Sequence, residues 1–293
     1  MRKILVLAAL LMALWAHAVA EGALRIVCTD FPCYDFARQA AGEGAEITML
    51  LKPGVEAHSY EPTPADILSI GEADLFVYIG GESDAWAESI LSGFDGNGPA
   101  TLRMMDCVTD LILEEDEPEY DEHIWTSPKN AAKMVLAVGE ALAGIDPDHG
   151  TTYARNAELY ADAIDGIDAE IEALVAGAAR KTLVFADRFP FVYFTRAYGL
   201  EYLAAFNSCT ADTEPSAQIL MALIQKVAGE SIPVIYTIEL STQAIARTVS
   251  EETGAQILTL HSMQTVSQAE FDAGETYVSL MRKNLEALKA GLE

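Results

Sequence analysis

Basic residues are scarce in this chain: 18 Lys and Arg stand against 45 Asp and Glu, a formal net charge of −27. That excess repels phosphate backbones, so no nucleic-acid partner is expected. It also raises the local cation concentration, although acid that merely keeps an exported protein soluble accounts for it equally well. Cysteine is sparse too, with four at positions 28, 33, 107 and 209. Their spacing matches no metal motif, and buried thiols and disulfides in an oxidising compartment both stay open. Long apolar runs are lacking: the run at 4–15 falls short of the roughly 20 residues that span a bilayer. No His-Glu-x-x-His helix is present, which removes one zinc-hydrolase signature.

What that apolar run does have is the right flanks. Arg2 and Lys3 precede it and Ala18-Val19-Ala20 follow, which together read as a signal peptide cut after about Ala20. No cysteine stands at that cut, and Leu24-Arg25-Ile26-Val27 before Cys28 lacks the small residues of a lipoprotein signal. A periplasmic protein exported through the inner membrane is the expectation.

With 293 residues and 51% hydrophobic content, the chain exceeds the usual single-domain size and can bury real cores. Apolar runs at 24–28, 47–51 and 75–79 alternate with amphipathic segments at 34–41 and 65–70, the pattern of a parallel sheet flanked by helices. Thr63-Pro64 and Ser127-Pro128 each read as a capping hydroxyl followed by proline at the first helical position. From 153 to about 176 apolar residues recur at helical spacing without proline, predicting one long helix. A second alternation follows, with strands at 182–186, 201–206, 234–239 and 256–260, helices at 193–198, 216–227 and 243–252, and a final helix from about 268. The fold class is therefore α/β, as two parallel-sheet lobes joined by one long rigid helix with a cleft between them. The expected divisions are 21–148, 149–178 and 179–293.

Apart from His17 in the leader, histidines stand only at 58, 123, 149 and 261. His58 follows an expected strand, His123 closes the acidic stretch 114–122, and His261 directly follows the strand at 256–260, at the carboxyl edge where open α/β sheets bind ligands. Three imidazoles and one oxygen would make a tetrahedral zinc site. Each histidine alone is more commonly a surface or hydrogen-bonding residue, and His149 is read as one of these.

The words around them carry more. Gly54-Val55-Glu56-Ala57-His58-Ser59-Tyr60-Glu61-Pro62-Thr63-Pro64-Ala65-Asp66 resembles the first ligand motif of the zinc/manganese ABC transporter substrate-binding proteins, and Asp121-Glu122-His123-Ile124-Trp125-Thr126-Ser127-Pro128-Lys129-Asn130-Ala131 resembles the second. Shorter matches at Tyr198-Gly199-Leu200, Glu214-Pro215-Ser216 and 234–239 extend the resemblance over the remainder of the chain in the same order. It implies a metal held at the interface of two lobes, carried as a monomer to an inner-membrane ABC permease, with no enzymatic activity. His58 and His123 match the family's ligands position by position.

The other two ligand positions depart from the pattern. Counting back from Tyr198-Gly199-Leu200 without a gap places Arg188 at the third, and a guanidinium cannot ligate a cation. A one-residue insertion near Pro190 instead aligns Asp187, an oxygen donor, which is the favoured reading. The fourth position, an acid in the family, is held by His261. Three nitrogen donors favour Zn2+ over Mn2+. Glu56, Glu239 and Cys209 are reserve donors. Two rivals remain: a zinc-dependent hydrolase, which would need Asp187 or Glu239 as base, and a binder of an organic ligand such as a siderophore or corrinoid, which would need a roomy aromatic cleft.

Overall fold

The computed structural model describes residues 23–113, 119–206 and 216–293. The expected signal peptide, residues 114–118 of the acidic loop, Cys209 and Glu214-Pro215 lie outside the described residues. Among those described, no helix is long and apolar enough to cross a membrane.

The chain opens with β1 (Leu24–Cys28) and α1 (Phe31–Ala41). This helix begins three residues before the expected start, because the Asp30 carboxylate accepts the Cys33 N–H at 3.2 Å and Pro32 occupies the first turn. After β2 (Ala45–Met49), α2 (Pro64–Gly71) starts on the expected Thr63 cap, which forms a full capping box with Asp66. Then come β3 (Leu75–Tyr78), α3 (Ala85–Gly93) and β4 (Ala100–Arg103). The last two are not in the sequence expectation. β4 pairs with β3 alone, and its exposed Ala100 and Thr101 leave no apolar run to betray an edge strand.

α4 (Pro128–Ile145) begins at the expected proline, but the Ser127 hydroxyl makes no capping bond. α5 (Gly150–Gly177) is the long helix, 28 residues and so about 42 Å in length. It buries Ala157, Ile164, Ile167 and Ile171 against its neighbours. α4 and α5 pack so closely that a Cβ at Gly139 would stand 2.6 Å from that of Ala157.

The second alternation runs β5 (Thr182–Phe185), α6 (Val192–Tyr198), β6 (Glu201–Ala204), α7 (Ala217–Gly229), β7 (Val234–Thr237), α8 (Ala244–Thr253) and β8 (Gln256–Thr259). The expected final helix is two, α9 (Gln268–Asp272) and α10 (Tyr277–Leu292), separated where Gly274 takes a φ of +71° and Thr276 caps a new start.

Both sheets are wholly parallel and share one plan, β2-β1-β3-β4 and β6-β5-β7-β8. Parallel strands bury both faces under helices, and Phe76, Val77, Val184 and Phe185 are fully buried. The largest apolar cluster does not stop at either sheet. It runs from Ile26 on β1 through Trp125, Val135 on α4 and Ile167 on α5 to Phe185 on β5 and Leu285 on α10. Truncating Ile167, at 0% exposure, to alanine would cost about 2–5 kcal/mol. In both sheets the strand order reverses beside the first strand, which opens a crevice at the carboxyl ends.

Candidate metal centre

Three short segments meet over the crevice between β1 and β3. One is the turn Ala57–Ser59 after β2, which carries His58; another is the turn Glu82–Asp84 after β3; the third is Asp121 to His123, just ahead of the turn Ile124–Thr126. Among the described residues, His58, Glu122 and His123 each offer a ligand atom, and these atoms all lie within 4.8 Å of one another. The two imidazole centroids are 5.8 Å apart.

Each ring is steered through Nδ1. His123 Nδ1 lies 3.2 Å from Asp121 Oδ1, which also accepts the His123 N–H at 2.9 Å. His58 Nδ1 lies 2.9 Å from Ser83 Oγ and 3.6 Å from Glu122 Oε1. Ser83 donates its hydroxyl to Glu122 Oε1 and its N–H to Oε2 at 2.9 Å. The arrangement that satisfies these partners puts Nδ1–H on both rings, so that each Nε2 carries its lone pair, that of His58 facing Gln264 Nε2 at 3.5 Å. Glu122 comes so near the turn that a Cβ at Gly81 would stand 2.2 Å from its own, so only glycine fits there. Burial is the main force holding the His58 pKa below its ordinary value, and neighbouring His123 adds to it. The ring is therefore neutral and able to ligate at neutral pH.

Behind this cluster lies a cavity of about 20 Å3, space for one water, bordered by Thr29, Asp30, Tyr60, Ser83, Asp84 and Gln264. Burial, then the Asp84 charge, pushes Asp30 up to about 8; burial, then Glu122, pushes Asp84 up to about 7. These two buried acids, with no ion pair to a base among the described residues, hold protons up to and beyond neutral pH and so carry little charge there.

The second lobe's expected ligands sit elsewhere. His261 is buried, and its Nδ1 accepts the Met263 N–H at 2.9 Å while Nε2 faces Glu270 Oε1 at 3.6 Å. Burial opposes its charged form, but the Glu239 and Glu270 carboxylates outweigh burial and raise its pKa. Asp187 accepts the Arg188 N–H at 2.9 Å through Oδ1 and the Ile238 N–H at 3.3 Å through Oδ2, tying the end of β5 to that of β7. Arg188 reaches across the cleft to Glu56 Oε2 at 2.7 Å. Glu239 accepts from the N–H and hydroxyl of Ser262. His149 is exposed and pairs with Asp146. So the structure gathers His58 and His123, sets His261 and Asp187 apart from them, and brings in Glu122, which the sequence expectation treats only as the end of an acidic loop. Its direct adjacency to His123 was the available signal.

A family model described as zinc-uptake complex component A, periplasmic, matches residues 26–291. The zinc-binding lipoprotein AdcA of Streptococcus pneumoniae is 33% identical across 99% of this chain, which covers 61% of that protein. The chain thus spans about three-fifths of the length of such relatives. The high-affinity zinc uptake system protein ZnuA of Bacillus subtilis is 30% identical over 92% of this chain and 88% of its own. The Zn(II)-bound ZnuA-like domain of the pneumococcal AdcA superposes with a TM-score of 0.80 at 33% identity, covering 92% of this chain and 99% of that domain. The metal-dependent lipoprotein YcdH of B. subtilis gives 0.82 at 30% identity, covering 92% of this chain and 100% of its own. From residue 26 to residue 291, this chain belongs to the family of periplasmic zinc-uptake component A proteins.

Proposed function

We propose that this protein is the extracytoplasmic substrate-binding component of a metal ABC importer, capturing Zn2+ in the cleft and passing it to a membrane permease. One observation carries the reading: two imidazoles and a carboxylate offer ligand atoms within 4.8 Å of one another, and each imidazole has its Nδ1 held by a neighbour. His58, His123 and Glu122 are the ligands proposed on the first lobe. Two nitrogens and one carboxylate suit zinc better than manganese, which takes more oxygens and a higher coordination number. The zinc-binding relatives support the same choice. The acids beneath the site, which ionise around and above neutral pH, favour a cation and oppose the capture of anions as they do so.

In this reading the lobes are 21–148 and 179–293, bridged by 149–178, and the leader directs export. The test is a chelator-stripped protein titrated with Zn2+ and separately with Mn2+ by calorimetry. One tight zinc site, with manganese at least about tenfold weaker, is the expected result. Absence of saturable zinc binding would sink the proposal.

A further inference from the structure

One short stretch of the second lobe, residues 188–193 from the end of β5 into α6, touches both histidine-bearing segments of the first. Arg188 Nη1 donates to Glu56 Oε2 at 2.7 Å, and Glu56 stands two residues ahead of His58, at the head of the turn Ala57–Ser59. Tyr193 is 4% exposed, and its hydroxyl donates to the Asp121 carbonyl at 2.8 Å while accepting the Ile112 N–H at 3.0 Å. Asp121 is the residue whose carboxylate faces His123 Nδ1 and takes the His123 N–H. Its own N–H donates to the Ile112 carbonyl at 2.8 Å, so the Tyr193 hydroxyl closes a ring of three bonds that fixes the backbone just ahead of His123.

The base of this stretch is rigid. Between the two polar side chains, Phe189 and Phe191 are buried with ring centroids 5.0 Å and 5.2 Å from that of Phe185 on β5. Asp187 straps the near end, because one of its oxygens accepts the Arg188 N–H and the other the Ile238 N–H beyond β7. Neither polar side chain is itself a donor to a cation. A guanidinium has no lone pair to give, and burial pushes the Tyr193 phenol up to about 12, so its hydroxyl keeps its proton. What the two share is that each ends on a first-lobe segment carrying an imidazole.

We infer that Arg188 and Tyr193 are positioning residues for the metal centre, a two-point clamp by which the second lobe holds the His58 turn and the His123 segment at the spacing an ion needs. The inference rests on the proposed capture function and adds no ligand to it. Both imidazoles stand on short connecting segments, and an ion held by several donors leaves when one of them swings aside. Bonds that restrain those segments from across the cleft therefore act on the rate of release.

The Zn2+-loaded protein and its Tyr193→Phe, Arg188→Met, Glu56→Gln and His123→Ala variants are mixed with excess chromophoric chelator to read the release rate, and their Co2+ complexes are compared by visible absorption. Tyr193→Phe should release zinc about five- to tenfold faster and Arg188→Met about threefold faster, both with the parent's cobalt bands, since no ligand is lost. Glu56→Gln should match Arg188→Met, and combining the two should add nothing, as for partners in one bond. Raising salt from about 0.05 M to about 0.5 M should speed release from the parent more than from Arg188→Met, because the part-exposed ion pair is screened and the buried tyrosine bond is not. Release within about twofold of the parent in either Tyr193→Phe or Arg188→Met, or cobalt bands displaced as by a lost donor, overturns the clamp and leaves the capture reading standing. If His123→Ala captures zinc as the parent does, the capture reading itself falls, and the clamp with it.

Discussion

The two lobes are built on one plan, four parallel strands with the first strand second in order, yet their carboxyl edges do different things. Around the crevice of the first sheet, His58, Glu122 and His123 are brought together, each with a ligand atom within 4.8 Å of the others. Around that of the second, Asp187, Glu239 and His261 are turned upon their own lobe's backbone and side chains. Titratable residues at the ends of strands are therefore no sufficient sign of a ligand. What separates the lobes is where each group's second partner lies, and in the first lobe that partner holds Nδ1 of each ring.

The contrast can be broken most directly by deletion on each side. His58→Ala or His123→Ala should reduce zinc affinity by at least about a hundredfold, read by chelator competition, because each removes a nitrogen donor. His261→Ala should instead show its main effect as a stability loss of about 2–3 kcal/mol in denaturant melts of the metal-free protein. It strands the Met263 N–H and leaves Glu239 and Glu270 without their partner. An affinity loss equal to that of His123→Ala would show that the second lobe supplies an imidazole after all.

Acid sharpens the same comparison. Glu270 is held down to about 2, chiefly by its bond to His261, against an ordinary value of 4.5. A carboxylate with a lowered folded pKa stabilises the fold above its unfolded value and loses that contribution as pH falls through the folded one. Metal-free protein should accordingly lose stability between about pH 4.5 and 2, and Glu270→Gln should flatten that part of the profile of melting temperature against pH. An effect of opposite sign is expected from the first lobe. Asp30 is raised to about 8, so its ionised form is disfavoured by the fold, and Asp30→Asn keeps the cap on α1 while removing that charge. The variant should melt higher than the parent at pH 9, with the difference shrinking as pH falls and gone only below about pH 4. Smallest of all, a double-mutant cycle on Glu56 and Arg188, whose side chains are 39% and 23% exposed, should return a coupling of no more than about 1 kcal/mol.

Much of the architecture was legible because it rests on local rules. The Thr63 capping box, the proline at 128 and the unbroken apolar face of α5 announce their elements directly. β4 was hidden because an edge strand needs only one apolar face, and the break between α9 and α10 because Gly274 lies inside an otherwise helical stretch. His58 and His123 stood out through the long motifs around them. Glu122 and Gln264 did not: each acquires its place from a contact far away in sequence, Glu122 with Ser83 at a separation of 39 residues and Gln264 with His58 at 206. Arg188 was correctly unfit as a ligand, but its use, an ion pair with Glu56, depends on how the lobes face each other.

The apolar cluster that runs without interruption from Ile26 to Leu285 bears on how such a molecule lets go of its cargo. A jaw whose hinge is packed with interlocking side chains cannot swing wide, since any large rotation would tear open a close-packed interior. Exchange at the cleft must therefore be a matter of its lips, the turn carrying His58 and the loop carrying Gln264, which meet where the Gly54 N–H reaches the Val266 carbonyl. Parting that backbone seam, together with the Glu56–Arg188 and His58–Gln264 contacts beside it, is in the proposed reading a small motion that would open the cleft.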